Sequence, residues 1–97
     1  MKKYRVYYIK NPTFMPQNIT VSTLPDTHVE LIDIDAESLD DVYFHMQAEN
    51  WSPFGEAKTL IQQKGLTHTS MCVDDVIYDV EEDKYFTVEM IGFREIK

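Results

Sequence analysis

The stretch HVELIDIDAESLDDVYFHM, residues 28–46, changes the spacing of its apolar residues halfway along, and this change decides the fold. From His28 to Ile34 apolar and acidic residues alternate, which is typical of a β-strand with one buried face. From Leu39 onward the apolar residues recur every three or four positions, as on one face of an α-helix. The sequence therefore predicts a strand followed directly by a helix.

Ser38 lies between the two patterns and is predicted to cap the helix. A serine hydroxyl at this position accepts a hydrogen bond from the backbone N–H three residues on, and Asp41 there completes an approximate capping box. Asp40 and Asp41 also suit the first turn, because the helix dipole stabilises negative charge there. The predicted apolar stripe consists of Leu39, Val42, Tyr43 and Met46.

Strand patterns also occur before this predicted strand and helix. Tyr4 to Ile9 (YRVYYI) is rich in aromatic and β-branched residues, and we predict a first strand there. The segment from Asn11 to Thr27 is rich in proline and polar residues and indicates a loop, with a short edge strand at Ile19 to Val21.

A second helix and a hairpin are predicted after the pair. The helix runs from Phe54 or Gly55 to Lys64 and buries Phe54, Ala57, Leu60 and Ile61, with Gly65 as its C-cap. The hairpin has arms at 76–80 and 85–96 around a turn at 81–84. Apolar residues on both faces of the second arm indicate that part of it is covered on both sides. Gly92 would mark a bulge or a close backbone approach within that arm.

Two helices inserted between an N-terminal strand pair and a C-terminal β-hairpin indicate an α+β fold with a mixed or antiparallel sheet. The 97 residues are predicted to form a single domain, 1–97, since a chain of this length has room for one core. No run reaches the roughly 18 apolar residues of a membrane helix. No signal-peptide core follows the basic N-terminus, so we expect a cytoplasmic protein without membrane association.

Acidic residues outnumber basic ones by 17 to 9, giving a net charge of −8. Such a field repels nucleic acid and attracts a basic partner, although solubility alone would also explain it. The carboxylates that would form an acidic surface are Asp33, Asp35, Glu37, Asp40, Asp41, Asp79, Glu81, Glu82 and Asp83.

Catalytic and metal-binding motifs give a mostly negative result. The chain has neither a phosphate-binding glycine loop nor a G-x-S-x-G or H-E-x-x-H motif. The three histidines belong to different predicted elements, so we predict no metal site and no cofactor. His68, Ser70 and an aspartate have the residue types of a hydrolase triad, but triads are recognised by geometry. Cys72, the only cysteine, is most simply a small buried hydrophobe.

An aromatic and basic first strand leaves nucleic-acid binding open as an alternative. Bases could stack on aromatic side chains, as they do on RNA-binding sheets. The aromatic candidates are Tyr4, Tyr7, Tyr8, Phe14 and Trp51, and the basic cluster is Lys2, Lys3, Arg5 and Lys10.

A set of short segments occurs in a characteristic order from about residue 29 to 96. They are Leu39-Asp40-Asp41-Val42-Tyr43, Met46-Gln47, Gly65-Leu66-Thr67-His68-Thr69-Ser70-Met71, Asp75-Val76-Ile77 and Ile91-Gly92-Phe93. Together they resemble the YodL-like domain family, with His-Thr-Ser-Met followed by Asp-Val-Ile as the most specific part. Cys72 stands where the family usually has serine, and Asp74 where it usually has glycine. Loss of that glycine argues against a special backbone conformation at this position, although aspartate tolerates left-handed dihedrals better than most residues.

The resemblance implies an accessory protein of plasmids, phages or conjugative elements, chiefly of Gram-positive bacteria. It carries over no catalytic residues, and its shared positions His68, Thr69, Ser70, Met71 and Asp75 are the candidate binding residues. The structural alternative is a turn in which the histidine and hydroxyls bond the backbone and Asp75 fixes the start of the next strand. We therefore expect a non-enzymatic protein-interaction module, with a counter-defence protein or DNA mimic as its sharper form.

Overall fold

The computed structural model describes residues 1–12 and 18–97, which form one antiparallel sheet packed with short helices. The strand order is β2-β1-β3-β4-β5, and every neighbouring pair is antiparallel. The predicted α+β class is thus confirmed. The strands are β1 (Lys2–Ile9), β2 (His28–Ala36), β3 (Val76–Asp79), β4 (Lys84–Val88) and β5 (Phe93–Ile96), and the helices are α1 (Leu24–Thr27), α2 (Leu39–His45), α3 (Ala48–Trp51) and α4 (Lys58–Gln63).

Both faces of the sheet are packed, because consecutive residues of a strand point to opposite sides. Ile77 lies in the larger core with Val6 from β1 and Val42 from α2. Its neighbour Val76 lies in a smaller core with Leu24, on the opposite face. Both β3 residues are fully buried. The sheet is therefore the middle of three layers over at least part of its area.

Strand β1 lies between β2 and β3 and runs from one end of the sheet to the other. Lys2 pairs with Ala36 at the end of β2, and Ile9 pairs with His28 at its start. The turn between β3 and β4 lies beside the beginning of β1, where Val80 N–H donates to Lys3 O (3.3 Å). We call this the Lys2 end of the sheet and the opposite one the Ile9 end.

The edge strand predicted at Ile19 to Val21 is wrong. A 3₁₀ helix occupies Val21–Thr23, and α1 follows it. Thr23 Oγ1 accepts a hydrogen bond from Thr20 N–H (3.2 Å), so local side-chain bonding replaces a strand ladder here. Pro25 in the first turn of α1 also suits a helix start. The predicted loop residues 13–17, including Phe14, lie outside the described residues.

The first predicted helix begins as expected but is divided in two. Ser38 Oγ accepts a hydrogen bond from Asp41 N–H (3.2 Å), which confirms the cap. Asp41 in turn accepts from Glu37 N–H (2.9 Å). After α2 the chain extends at Gln47 before α3, because Met46 O accepts from Met71 N–H (3.1 Å) and is lost to the helix ladder.

The second predicted helix is shorter than expected. It begins at Lys58, and Phe54, predicted to be buried, is 91% exposed in the turn before it. Gly65 does cap α4: its N–H donates to Gln62 O, and Leu66 N–H donates to Ile61 O (both 3.0 Å). This Schellman arrangement requires the positive φ of +71° that glycine adopts without strain.

The long second arm of the hairpin is two strands, not one. β4 ends at Val88, and Glu89 N–H donates to Gly92 O (3.0 Å) across a tight turn to β5. Gly92 has a φ of +75°, so it marks a turn and not a bulge within one strand. Thr87 and Val88 are neighbours in β4 and both are buried, which confirms that this part of the arm is covered on both sides.

Replacing Ser38 tests the start of α2. We expect Ser38→Ala to lower the free energy of unfolding by about 1 kcal/mol, because Asp41 N–H loses its acceptor. Ser38→Asp keeps an acceptor at the cap and should stay within about 0.5 kcal/mol of the wild type. Urea unfolding followed by circular dichroism measures both, and equal losses in the two variants would contradict the assigned cap.

Candidate functional site

The carboxylate of Asp75 is fully buried at the Ile9 end of the sheet. Its Oδ1 accepts from Ile9 N–H (2.8 Å), and its Oδ2 accepts from Cys72 N–H (2.9 Å). His68 Nε2 lies 2.9 Å from Oδ2 and 3.1 Å from Oδ1. Burying a carboxylate is costly unless donors surround it, and these three donors come from β1, the loop and the ring.

The ring of His68 is held between Asp75 and Tyr8. The rings of His68 and Tyr8 stack with centroids 4.5 Å apart and an angle of 13° between their planes. Tyr8 hydroxyl donates to Thr69 O (2.7 Å), which also accepts from Trp51 Nε1 (3.0 Å). Burial, and then the charge of Asp75, raise the pKa of the Tyr8 hydroxyl well above its ordinary value, so it remains a donor.

The remaining motif residues attach the loop to α3 and to its approach. Ser70 Oγ accepts from Ala48 N–H (2.9 Å) and satisfies one of the free donors at the start of α3. Gln47 Nε2 donates to Met71 O (3.2 Å). The segment therefore bridges the helical layer and the end of β1.

Asp74 takes the backbone conformation that the sequence led us not to expect. Its φ is +77°, in the left-handed region, which aspartate tolerates better than most residues. Its N–H donates to Val88 O (2.9 Å), and its carbonyl accepts from His28 Nε2 (2.7 Å). The turn thus forms without glycine, held from β4 and from β2.

The five candidate binding residues come together but are not equally accessible. Asp75 is fully buried and Met71 is 1% exposed, so neither can contact a partner from the surface. His68, Thr69 and Ser70 are half-buried. The turn predicted as the structural alternative is confirmed for Ser70, whereas His68 bonds a carboxylate and not the backbone.

His68 and Asp75 form the histidine–aspartate pair of the triad hypothesis, but Ser70 is not placed as its nucleophile. Ser70 Oγ is engaged by Ala48 N–H at α3, while Nε2 of His68 faces Asp75. His68 Nδ1 is buried, and no partner for it lies within the described residues. Within the described part of the chain Ser70 Oγ makes no hydrogen bond to His68, so this set lacks the nucleophile–base contact of a triad.

Cys72 lies nearer to this group than the sequence indicated. Its side chain is half-buried, and burial followed by the charge of Asp75 raises the pKa of its thiol to about 12. Its sulfur, the Asp75 carboxylate and a His68 ring nitrogen lie within 4.8 Å of one another. This trio was not predicted from the sequence, because only the histidines were compared as metal ligands and Cys72 was assigned to the core. The short spacing H-x₃-C-x₂-D was the available signal.

Two acidic segments meet at the Lys2 end, on either side of β1. The end of β2 and the start of α2 lie on one side, and the turn from β3 to β4 lies on the other. The intervening strand separates them by about 10 Å. Burial raises the pKa of the Tyr4 hydroxyl on β1, Lys2 opposes this rise, and the charges of Asp79, Glu81 and Asp41 add to it.

Most predicted acidic residues lie at the surface of this end. Among the described residues, no ion pair neutralises Asp35, Glu37, Asp40, Glu81 or Glu82. Asp33 pairs with Arg5 at 2.9 Å. The placement of Asp79 on the surface was wrong, because it is 5% exposed and binds the Lys2 ammonium and Glu82 N–H. We call Asp35, Glu37, Asp40, Glu81, Glu82 and Asp83 the acidic end.

The aromatic first strand divides between the two faces of the sheet. Tyr4 and Tyr8 are buried in the larger core, so they cannot stack on bases. Tyr7 lies on the opposite face near Tyr85, which stacks on Tyr78 with centroids 4.3 Å apart. The sequence analysis missed Tyr78 and Tyr85 as members of this row.

No protein-family model, curated protein or solved structure matches this chain. The resemblance to YodL-like domains accordingly stays a prediction from the sequence. No helix in the described ranges 1–12 and 18–97 has the length and apolar character needed to cross a bilayer.

Replacing Asp75 tests whether its carboxylate is the centre of the loop. We expect Asp75→Asn to lower the free energy of unfolding by at least about 2 kcal/mol, since the amide group opposes one of three donors. The neighbouring Asp74→Asn should change it by less than about 0.5 kcal/mol, because asparagine tolerates positive φ. Urea unfolding of the pair decides this, and a mild effect at Asp75 would refute the assignment.

Acid should destabilise the protein through His28. Its burial lowers its pKa below the ordinary value of 6.5, despite the opposing bond to Asp74 O. The unfolded chain therefore takes up this proton more readily, and the stabilisation present above pH 6.5 is lost as the pH falls below it. We expect His28→Gln to reduce the loss in unfolding free energy between about pH 7.5 and pH 5.5.

The matched control is His45→Gln, at a side chain that is 51% exposed. This variant shows what the loss of one exposed histidine does to stability by itself. If His28→Gln kept the wild-type pH dependence in full, burial of a neutral His28 would not be the cause.

Proposed function

We propose that this protein is a non-enzymatic interaction module whose acidic end binds a basic protein partner. The supporting observation is that two acidic segments, about 40 residues apart in the chain, meet at one end of the sheet. The register of β1 with β2 and β3 brings them there. A net charge of −8 adds a long-range attraction to any basic partner.

The carboxylates of the acidic end are free to pair with lysine or arginine. Glu37, Asp40, Glu81 and Glu82 are exposed, and within the described chain they have no cationic partner. Like charges this close oppose folding, and a basic partner would relieve that repulsion. A complementary patch mainly accelerates encounter and fixes orientation, so binding should weaken as salt is added.

The buried residues around Asp75 hold the fold together, which supports placing the interaction surface elsewhere. Its donors and acceptors are used to join β1, α3 and the loop, and its Ser70 hydroxyl is engaged at α3. An interaction surface is therefore better sought at the Lys2 end, where charged side chains are exposed. The resemblance to YodL-like domains suggests a mobile-element setting, in which the partner would be a nucleic-acid-binding host or element protein.

An RNA- or DNA-binding role remains the second candidate, on the observation of the row Tyr7, Tyr85 and Tyr78. Arg5 lies next to this row, with its guanidinium carbon 6.0 Å from the Tyr78 ring centre. However, Arg5 is already paired with Glu30 and Asp33. A phosphate would have to displace both carboxylates, which favours the protein-binding proposal.

The test is capture from a nuclease-treated lysate of a Gram-positive bacterium, eluted by increasing salt. A triple variant, Glu37→Lys, Glu81→Lys and Glu82→Lys, should bind the captured protein at least about tenfold more weakly than the wild type at low salt. Asp41 is left unchanged because its carboxylate bonds Glu37 N–H. The matched control, Asp26→Lys, Glu49→Lys and Glu95→Lys, makes the same change of net charge at other exposed positions.

Loss of binding in the first variant alone would support the acidic end. Equal loss in both would show that only net charge matters, and retention in both would reject the proposal. If double-stranded DNA elutes the captured protein, the DNA-mimic form is supported. If capture requires intact nucleic acid, the result would instead favour nucleic-acid binding at Tyr7, Tyr85 and Tyr78.

A further inference from the structure

Three side chains with metal-binding groups converge at the Ile9 end, away from the acidic end. A His68 ring nitrogen, Cys72 Sγ and an Asp75 carboxylate oxygen lie within 4.8 Å of one another. The shortest separation, from His68 Nε2 to Asp75 Oδ2, is 2.9 Å. From this geometry we propose that His68, Cys72 and Asp75 bind one zinc ion, with water as the fourth ligand.

The donor set selects the class of metal. Imidazole nitrogen and thiolate sulfur are poor ligands for Mg²⁺ and Ca²⁺, which prefer oxygen, whereas zinc accepts all three donor types. Zinc bonds of about 2.0–2.3 Å place neighbouring ligands of a tetrahedron roughly 3.3–3.7 Å apart. Side-chain rotation within the loop can bring the trio to that spacing without moving β1.

Two of the three ligands are held in place before an ion arrives. Ile9 N–H and Cys72 N–H fix the Asp75 carboxylate, and the lone pairs that now face His68 Nε2 would be available to the ion. The Tyr8 ring packs flat against His68 and limits its rotation. Supporting contacts of this kind orient metal ligands and strengthen binding.

Access to the site is through Cys72 and His68. Cys72 is half-buried, and the His68 side chain is 17% exposed, while Asp75 lies beneath them. A zinc ion would thus enter from the surface of the loop, with the water ligand on the solvent side. Three protein ligands and one water leave an exchangeable position.

Zinc binding changes the protonation of two ligands. The Cys72 thiol loses its proton to solvent as the zinc–sulfur bond forms, so one proton is released per ion. His68 binds through Nε2, and its ring proton is then carried on Nδ1. This nitrogen is buried, with no acceptor among the described residues. Since a missing outer partner typically costs 10- to 100-fold in affinity, we expect a dissociation constant nearer micromolar than nanomolar.

The experiment is titration of the metal-free full chain with Zn²⁺, using a chromophoric chelator as competitor at about pH 7.5. We expect one bound ion per chain and at least about tenfold weaker binding in Cys72→Ser. The fold uses the backbone N–H of Cys72, so serine there should leave the thermal midpoint in chelator nearly unchanged. His45→Gln, which alters an exposed histidine beside Asp41, is the control and should bind as the wild type does.

Two further readouts use the wild-type protein and do not depend on a variant folding. Co²⁺ should produce the intense thiolate-to-metal absorption band that carboxylate sites lack. Zn²⁺ should slow the reaction of Cys72, the only cysteine, with a disulfide reagent. The proposal would be overturned if no zinc bound or if zinc left the thiol reaction rate unchanged. It would also be overturned if Cys72→Ser bound zinc as the wild type does, because the ion would then belong to surface carboxylates.

Discussion

The buried carboxylate of Asp75 is the interaction on which the Ile9 end depends. It joins the last residue of β1 to the loop before β3 through Ile9 N–H and Cys72 N–H, and it orients His68. A charged group in the interior is tolerated only when its lone pairs are satisfied, so the three donors and the carboxylate require one another. Because Asp75 immediately precedes β3, this also sets where that strand begins beside β1.

The segment from His68 to Met71 connects the Asp75 region to the helices through hydrogen bonds. Thr69 O accepts from Tyr8 on β1 and Trp51 on α3, and Met71 N–H donates to Met46 O. The last of these bonds satisfies the carbonyl at the C-terminal end of α2, so the loop lies against the break in the first helix. The acidic end lies at the other end of β1, roughly 23 Å away along eight residues of strand, and can vary independently of this packing.

Local signals predicted the parts of the fold that local physics controls. The change of period after Ile34, the cap at Ser38 and the glycine after α4 each depend on residues within a few positions. Phe54 was misplaced because helical spacing does not reveal where a turn delays the helix. The burial of Asp79 depends on its contact with Lys2, which is 77 residues away in the chain, so no local pattern could reveal it.

The structure separates the residues that the fold uses from those it leaves free. Of the motif positions, Asp75, Ser70 and His68 each make side-chain bonds that hold the loop, so their presence needs no ligand. At Cys72 the bond to Asp75 that holds the turn comes from the backbone N–H, which serine or alanine would also provide. The side chains of Glu37, Glu81 and Glu82 are also unused by the fold, since they lie outside the ion pairs of the described residues. Function is therefore best sought where the side chain exceeds what folding requires: at the acidic end and at the sulfur beside His68.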